Sequence, residues 1–310
     1  MNRHLGSFFV LLMLVGCTGP NTNTAAVDPT PIPTQTPTQT PASTPSPTVE
    51  LSSAYLETGH LGATFGFADG EGKHLLVTGQ DEGKQQEMAL LNKAIGNNGQ
   101  VLDVKFEKWQ AGNEQNNGRE VALNFTNLPG YLFTLQEGSA VPDDETYYMV
   151  DAADFNLQSL LPVKPAGVNQ ESATAEDSVR GSIAEAKGRE VLHLWKLADV
   201  SVEQELYLVQ FVKQDANMLF SFVLKDSNGL VFADYPAVFQ DDGNSVWRVD
   251  DGGEVTPEMF SILFAAQTAN GLVLGLEWWG AEGVNSLFLH KDGNSFKEMD
   301  IQYSRYTSPI

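Results

Sequence analysis

The sequence predicts a mainly β fold of antiparallel sheets with short meanders, arranged as blade-like units or as a sandwich, with few helices. Short apolar runs, alternating or continuous, recur through the second half of the chain. The segments between them are rich in Gly, Asn and Asp, which are the residues that tight turns select. Helical periodicity is confined to residues 82–95 and 170–188.

Residues 1–16 have the composition of a signal peptide. Arg3 and His4 form a short basic start, and an apolar run over residues 8–15 follows. This run is shorter than the roughly 20 apolar residues that a membrane-spanning helix needs. It ends at Gly16, directly before Cys17, the single cysteine of the chain. The pattern therefore predicts an export signal, and one cysteine leaves no internal disulfide to hold the fold.

Leu14, Val15, Gly16 and Cys17 resemble the lipobox of bacterial lipoproteins position by position. The resemblance covers residues 1–17 and nothing of the folded part. It implies that Cys17 receives a diacylglycerol on its sulfur and becomes the first residue after cleavage. A cysteine thiolate is a strong nucleophile suited to this bond, and more than one acyl chain anchors a protein durably. An ordinary signal peptide is the alternative.

Residues 17–49 are predicted to be the lipidated cysteine and a Thr/Pro-rich tether. From residue 27 to 49 the chain reads VDPTPIPTQTPTQTPASTPSPTV. This composition offers almost no apolar surface to bury, so we expect disorder with a polyproline II bias. We interpret the segment as a spacer between the membrane and the folded part, with a passive linker as the alternative.

The part after the tether, about 260 residues, is long enough for one large β domain or two ordinary ones. We divide it into an N-terminal β-rich half with one helix (50–167), a connector (168–188) and a C-terminal antiparallel half (189–310). The chain has 18 basic and 40 acidic residues and a net charge of −22. This balance argues against nucleic acid as a partner and against adhesion of the folded surface to anionic lipid.

The hydrophobic pattern of the N-terminal half predicts six strands, over residues 63–67, 74–77, 101–109, 119–126, 131–135 and 147–150. Met88, Leu91 and Ile95 recur at helical spacing and Gly96 follows them, which predicts a helix over residues 82–95. In the connector, Val179 and Ile183 give a weaker helical pattern, which indicates a surface helix.

The C-terminal half is predicted to be a succession of strands, over residues 189–197, 205–213, 218–225, 230–233, 237–240, 245–249, 260–267, 272–279, 284–290 and 295–301. Residues 219–224 and 272–276 are apolar on both faces, which indicates stacked sheets. The sequence DGNS occurs at residues 242–245 and again at 292–295. This predicts two four-stranded repeats of about 50 residues, 204–250 and 258–301, with DGNS in equivalent hairpins. Turn composition alone is the alternative.

The sequence contains none of the catalytic motifs GxSxG, SxxK or HExxH, and no P-loop. His60, His74, His193 and His290 show no metal-ligand spacing. A glycosidase needs two carboxylates converging across a cleft, but the acidic pairs at 143–144, 241–242 and 250–251 adjoin turn residues and read as solvated loop charge. Calcium in the loop that contains Asp241, Asp242, Asp250 and Asp251 is the alternative, although EF-hand order is not met. We therefore predict no catalytic residues, no metal ligands and no cofactor.

Trp278 and Trp279 are the candidate ligand-contacting residues. Adjacent side chains of a strand point to opposite faces. One indole should therefore lie in the core, while the other is available to stack on a sugar or peptide. Both being structural is the alternative.

Together these features predict a lipoprotein anchored to the bacterial cell membrane on its extracytoplasmic side. Its β-rich part would be a non-catalytic binding or envelope-assembly module, with a cell-wall glycan or an envelope protein as partner. One alternative is an envelope hydrolase with carboxylate catalysis. The other is a transporter solute-binding lipoprotein, which the scarcity of helix signals disfavours.

Overall fold

A computed structural model of the chain describes residues 55–167, 175–239 and 244–308. They belong to one compact unit, Leu51–Ile310. The described residues form a closed barrel of six strands and a curled sheet of nine strands. The predicted mainly β fold of antiparallel sheets is thereby confirmed. Cys17, the predicted signal peptide and the predicted tether lie outside the described residues.

The barrel is built from short antiparallel strands in the order β1-β2-β5-β4-β3-β6, with β6 pairing back onto β1. Side chains such as Leu75, Phe133 and Tyr147 fill its interior and have no exposed surface. The strands are β1 (Phe65–Ala68), β2 (His74–Val77), β3 (Lys93–Gly96), β4 (Gln100–Gln110), β5 (Gly130–Leu135) and β6 (Thr146–Val150).

The curled sheet contains two consecutive four-stranded meanders that meet where β11 pairs with β15 in parallel. Alternate side chains of all eight meander strands, among them Leu208, Phe222 and Leu274, form one core on its concave face. The strands are β7 (Lys164–Pro165), β8 (Val191–Ser201), β9 (Gln204–Phe211), β10 (Asn217–Asp226), β11 (Gly229–Val238), β12 (Phe260–Thr268), β13 (Gly271–Trp279), β14 (Gly283–Asp292) and β15 (Ser295–Tyr306).

Two different elements cover the convex face of this sheet. Helix α2 (Ala175–Lys187), predicted in the connector, packs Val179 and Ile183 against β8, β9 and β10. The barrel covers the β12–β15 meander, where the ring of Tyr148 lies 4.9 Å from that of Phe288. We call this second contact the junction. Both faces are therefore covered at 219–224 and 272–276, as the apolar runs predicted, but the predicted stacked sheet is present only over 272–276, since a helix covers the convex face at 219–224.

The edges of the curled sheet are protected by chain from the N-terminal half. Asn98 and Gly99 of the β3–β4 turn donate main-chain hydrogen bonds to β12, at 2.7 and 2.8 Å. Residues 160–167, which we call the strap, bridge to β12 at Leu160 and pair with β8 through β7. The strap thus spans both edges of the sheet, which limits edge-to-edge association. Among the described residues, no helix is long and apolar enough to cross a membrane.

The helix predicted over residues 82–95 is wrong. Only Gln85–Met88 (α1) is helical, and Lys93–Gly96 is strand β3, paired with β4. Asn97, Asn98 and Gly99 all adopt positive φ angles, of 41°, 63° and 92°. Consecutive left-handed residues form a tight hairpin turn, which ends any helix and reverses the chain. Met88 lies in α1, Leu91 in the connection that follows and Ile95 in β3, so their spacing does not mark one face of a helix.

The strand predicted over residues 119–126 is also wrong, because Ala122–Asn127 forms a 3-10 helix. The Asp144 carboxylate accepts a hydrogen bond from the main-chain N–H of Ala122. The side-chain amide of Asn124 donates a hydrogen bond to the main-chain oxygen of Arg119 at 2.8 Å. Side-chain groups therefore satisfy the main chain that a sheet partner would otherwise bind. Leu123 is 83% exposed, so the alternating pattern does not mark one buried face.

The predicted strand at residues 245–249 is replaced by an irregular loop, while the two predicted strands at 230–233 and 237–240 join into β11, which ends at Val238. Consequently the predicted repeat unit 204–250 lacks its fourth strand among residues 244–250. The second DGNS segment is the β14–β15 hairpin. Of the first, residues 242–243 lie outside the described residues and 244–245 begin the loop. Residues 244–245 and 294–295 thus do not occupy equivalent hairpins, and the two four-stranded meanders of the described residues have other bounds, β8–β11 and β12–β15.

Candidate functional site

Trp278 faces the concave core of the curled sheet. Its ring centroid lies 5.2 Å from that of Phe220 and 5.5 Å from that of Phe260. The guanidinium of Arg248 lies 5.6 Å from the Trp278 ring. These neighbours occupy the indole on several sides, so Trp278 is a packing residue and little of its surface is left for a ligand.

Trp279 lies on the other face of the same strand. It lines a surface cleft of about 230 Å³ together with Asp250, Glu258 and Met259. Asp250 and Glu258 are exposed, and neither forms an ion pair within the described chain. We call this the Trp279 cleft. It offers a flat apolar ring beside two carboxylates, which suits a sugar ring or a peptide carrying a hydrogen-bond donor.

The wall of the Trp279 cleft is the loop over residues 244–256, which is organised by Asp251. The Asp251 carboxylate accepts four main-chain N–H groups, from Val246 at 2.8 Å, Trp247 and Arg248 at 2.7 Å, and Gly253 at 3.0 Å. Both oxygens are therefore engaged in holding the loop. A carboxylate whose oxygens are both taken up by main-chain donors is poorly placed to bind calcium or a substrate group.

Arg248 fastens the same loop to the β13–β14 hairpin. Its guanidinium donates to the side-chain oxygen of Asn285 at 2.8 Å and to the main-chain oxygen of Gly283 at 2.9 Å. Burial lowers the pKa of Arg248, while the charge of Asp251 acts in the opposite direction. Arg248 is thus held in the wall of the cleft by these hydrogen bonds. The exposed carboxylates of Asp250 and Glu258 add negative charge to the cleft.

Whether side chains are arranged to hold a metal ion can be examined only among the described residues. Asp241 and Asp242 lie outside them, so the calcium alternative can be followed only at Asp250 and Asp251. Within the described ranges no group of three or more His, Cys, Asp or Glu side chains is arranged to hold a metal ion. His74 instead lies 2.7 Å from the carboxylate of Asp69, and His193 stacks on Trp195 with ring centroids 5.0 Å apart.

A buried polar cluster at the junction escaped the sequence analysis. Glu277 of β13 has no exposed surface and Arg305 of β15 is 2% exposed. Ser261 donates a hydrogen bond to Glu277 at 2.8 Å, and Arg305 donates to the hydroxyl of Thr146 at 2.7 Å. The Thr146 hydroxyl also acts to lower the pKa of Glu277. The junction cluster, which we define as Glu145, Thr146, Ser261, Glu277 and Arg305, therefore joins the barrel to the curled sheet.

Two carboxyl groups in this cluster influence each other. Burial raises the pKa of Glu145 to about 7, the negative charge of Glu277 adds to the increase, and Arg305 opposes it. Burial likewise raises the pKa of Glu277, against hydrogen bonds from Thr146 and Ser261 and the charge of Arg305. Neither carboxyl lines the Trp279 cleft. A pair held inside the junction does not meet a glycosidase's requirement for two carboxylates facing each other across a cleft.

The acidic pair at residues 143–144 also differs from the solvated loop charge that its turn setting predicted. Asp143 is exposed, but Asp144 is half-buried beside Arg305. Burial raises the pKa of Asp144, while the hydrogen bond from Ala122 and the charge of Arg305 act to lower it. Asp144 therefore belongs to the framework around the junction cluster.

The one signal in the sequence for this cluster is Glu277, a single charge inside the apolar run LVLGLEWW. A charge at such a position is either exposed at a strand end or buried with partners. Its partners Thr146, Ser261 and Arg305 come from three other strands, so no local pattern reveals them.

Comparison with known proteins finds no relative, since no family model, no curated protein and no solved structure matches the chain.

Proposed function

We propose that this chain is an extracytoplasmic lipoprotein, anchored to the bacterial cell membrane through Cys17, whose β-rich unit is a non-catalytic binding or envelope-assembly module. The observation that carries the proposal is the order of its segments. A complete lipobox at residues 14–17 comes first, the Thr/Pro-rich segment follows, and a compact unit begins at Leu51. An acyl anchor, a spacer and a folded module in this order would hold the module at a distance from the bilayer, which supports the proposal.

The positions of the acidic residues favour binding over catalysis. The electrostatically coupled pair Glu145 and Glu277 is held in the junction. Asp251, at the surface cleft, is saturated by main-chain donors. The Trp279 cleft retains an indole ring and two exposed carboxylates, which support contact with a cell-wall glycan or an envelope protein. The acidic net charge of −22 disfavours nucleic acid as the partner.

Metabolic labelling tests the anchor. Cells producing the full chain are grown with labelled palmitate, and we expect label in the wild-type protein together with removal of residues 1–16. Cys17→Ala should lose the label and accumulate as the uncleaved precursor, because no other thiol is present to take the lipid. Thr18→Ala, one position later, is the matched control and should be labelled normally. A wild-type protein without label would remove the basis of the proposed localisation.

A further inference from the structure

The Trp279 cleft adjoins a second surface cavity along the loop over residues 244–256. The second cavity, of about 350 Å³, shares Arg248, Val249 and Ala281 with the cleft. It also includes Glu282 of the β13–β14 turn, which does not line the cleft. We call the two cavities together the acidic groove, which is lined by residues 245–251, 258–259 and 279–282. Two adjoining cavities have room for a short chain segment as well as for a compact ligand.

The acidic groove carries more negative charge than its one cation balances. One of its lining side chains is basic and four are acidic, which gives a net charge of −3. Arg248, the cation, already donates hydrogen bonds within the chain, and the charge of Asp251 acts on it. The other three carboxylates form no ion pair among the described residues, and they belong to Asp250, Glu258 and Glu282. They are therefore available to a positively charged ligand.

The acidic groove also has apolar surface. Val249, which is 44% exposed, lines both cavities, and the ring of Trp279 lines the cleft. The face of an indole ring attracts a positive charge. The methylene stem of a lysine or arginine packs on apolar surface while its charged end stays in contact with water and carboxylates. The groove therefore suits both the stem and the charged end of a basic side chain.

Charge distinguishes three kinds of occupant for this groove. The tether predicted at residues 17–49 contains no lysine or arginine, so it cannot supply the complementary charge. A second copy of the chain carries the same net charge of −22, and like charges oppose such a contact. A basic segment of another protein matches the groove, and the acidic field of the whole molecule attracts it during the encounter.

We propose that the acidic groove binds an extended basic peptide segment of a partner protein. One lysine or arginine side chain would lie on the Trp279 ring beside Asp250 and Glu258, and another would reach Glu282. This inference rests on the proposed function, because it names the partner of the binding module at the Trp279 cleft. It narrows that partner from a glycan or an envelope protein to a protein with a positively charged segment.

Defined peptides test the acidic groove on the full-length protein in non-ionic detergent micelles. A dye-labelled peptide of alternating lysine and alanine is the basic probe, and peptides with glutamine or glutamate in place of lysine are the neutral and acidic probes. Fluorescence anisotropy gives each Kd. We expect only the basic probe to bind. Its Kd should rise between about 0.01 M and about 0.15 M salt, because the screening length falls from about 30 Å to about 8 Å.

Four variants separate the groove from a general attraction to an acidic protein. Glu258→Gln and Glu282→Gln each remove one negative charge and should weaken binding of the basic probe roughly two- to fivefold. Trp279→Ala removes no charge and should weaken it on the order of tenfold. Glu203→Gln is the matched control and should leave the Kd unchanged. Glu203 is exposed in the β8–β9 turn, at the other end of the curled sheet.

The proposal is overturned if the basic probe does not bind, if the neutral probe binds as tightly, or if folded Trp279→Ala binds as the wild type does. An equal loss in Glu203→Gln and in the two groove variants would show general attraction and would also overturn it. Self-association of the wild type that Trp279→Ala abolishes would assign the groove to a second copy instead.

The proposed function is separable from this result. If the basic probe fails but Trp279→Ala still loses peptidoglycan or an envelope protein in a pull-down, the binding module stands and only the basic-peptide class is wrong. If neither the probe nor any envelope component binds to the wild type, the binding module fails as well.

Discussion

At the scale of single residues, Trp278 and Trp279 show how one dipeptide serves two environments. The alternation of a strand sends Trp278 into the concave core and Trp279 to the convex face. There Trp279 has the guanidinium of Arg305 5.9 Å from its ring on one side and the surface cleft on another. A side chain that is packed on one side and accessible on another has little rotamer freedom to lose when a partner covers it.

We therefore expect Trp279 to contribute to partner binding. Full-length protein carrying Trp279→Ala should retain markedly less peptidoglycan or envelope protein in a pull-down than the wild type, since a central aromatic contact is commonly worth about 2 kcal/mol or more. Leu123→Ala is the control, because Leu123 is an apolar side chain that is 83% exposed on the barrel side of the chain. Equal retention by wild type and a folded Trp279→Ala would show that the cleft is not the contact.

The sequence could predict that two adjacent indoles take opposite faces, but not which of them the core would receive. That choice depends on the curl of the sheet, which brings Phe220 and Phe260 from different meanders to the same indole. Glu277 illustrates the same limit. Its burial is tolerated because Arg305 and Thr146 lie beside it. Both come from strands distant in the chain, and local periodicity carries no information about such partners.

At the scale of elements, strands with regular alternation were predictable and irregular connections were not. The predicted bounds of β2, residues 74–77, agree with the structure, and β4 extends the predicted 101–109 by one residue at each end. The failures at 82–95, 119–126 and 245–249 share a physical cause. In each, turn residues or a carboxylate hydrogen-bonded to main-chain N–H groups decided the local conformation, and apolar spacing did not reveal them.

Helix α2 offers a matched pair of glycines for a test of this local control. Gly181 lies within the helix, is exposed, and has open space where a Cβ would be added. Gly188 directly follows the helix with φ of +58°. Its N–H bonds to the oxygen of Glu185 at 3.3 Å, and Arg189 bonds to that of Ala184 at 3.2 Å. This is the Schellman arrangement, which needs a left-handed residue at that position.

The same substitution should thus have opposite effects at the two positions. Gly181→Ala should raise the free energy of unfolding by about 0.5–1 kcal/mol, since alanine loses less backbone entropy in a helix. Gly188→Ala should lower it by about 1 kcal/mol, because a left-handed backbone is unfavourable for alanine. Denaturant unfolding of both variants measures the difference. A loss at Gly181 would indicate that α2 does not behave as a regular helix, and a gain at Gly188 would contradict the capping motif.

At the scale of the whole molecule, the barrel and the curled sheet share one aromatic core and one polar cluster. Phe65 of the barrel stacks on Tyr303 of the sheet with centroids 5.2 Å apart, and Tyr148 stacks on Phe264 at 5.8 Å. Gly275 leaves room for these rings, because a Cβ there would lie 2.9 Å from Phe264. Beside this apolar contact lies the junction cluster. The protonation of its carboxyls is therefore linked to the stability of the entire unit.

The sign of this linkage follows from the direction of the pKa change at Glu145. In the unfolded chain the carboxyl loses its proton near its ordinary value of 4.5, whereas in the folded protein it retains the proton up to about 7. Between these two values the folded state binds the additional proton. The contribution of Glu145 to the free energy of unfolding is therefore most favourable at acidic pH, and it declines as the pH rises from 4.5 to 7.

We expect Glu145→Gln to remove this decline. A glutamine keeps the shape of the protonated carboxyl and carries no charge, so the variant should be the more stable protein at pH 8, by roughly 2 kcal/mol after allowance for residual solvent contact. At pH 4.5 the free energies of unfolding of the two proteins should be nearly equal.

Comparing variant with wild type at each pH separates Glu145 from groups with the opposite behaviour. One such group is Glu205, whose burial acts to raise its pKa but whose pKa is lowered to about 2 by Lys196 and Lys225. Urea unfolding of both proteins across this pH range, with the exposed Glu137→Gln as control, provides the measurement. If the difference between variant and wild type is the same at pH 4.5 and pH 8, the pKa of Glu145 is not raised in the folded protein.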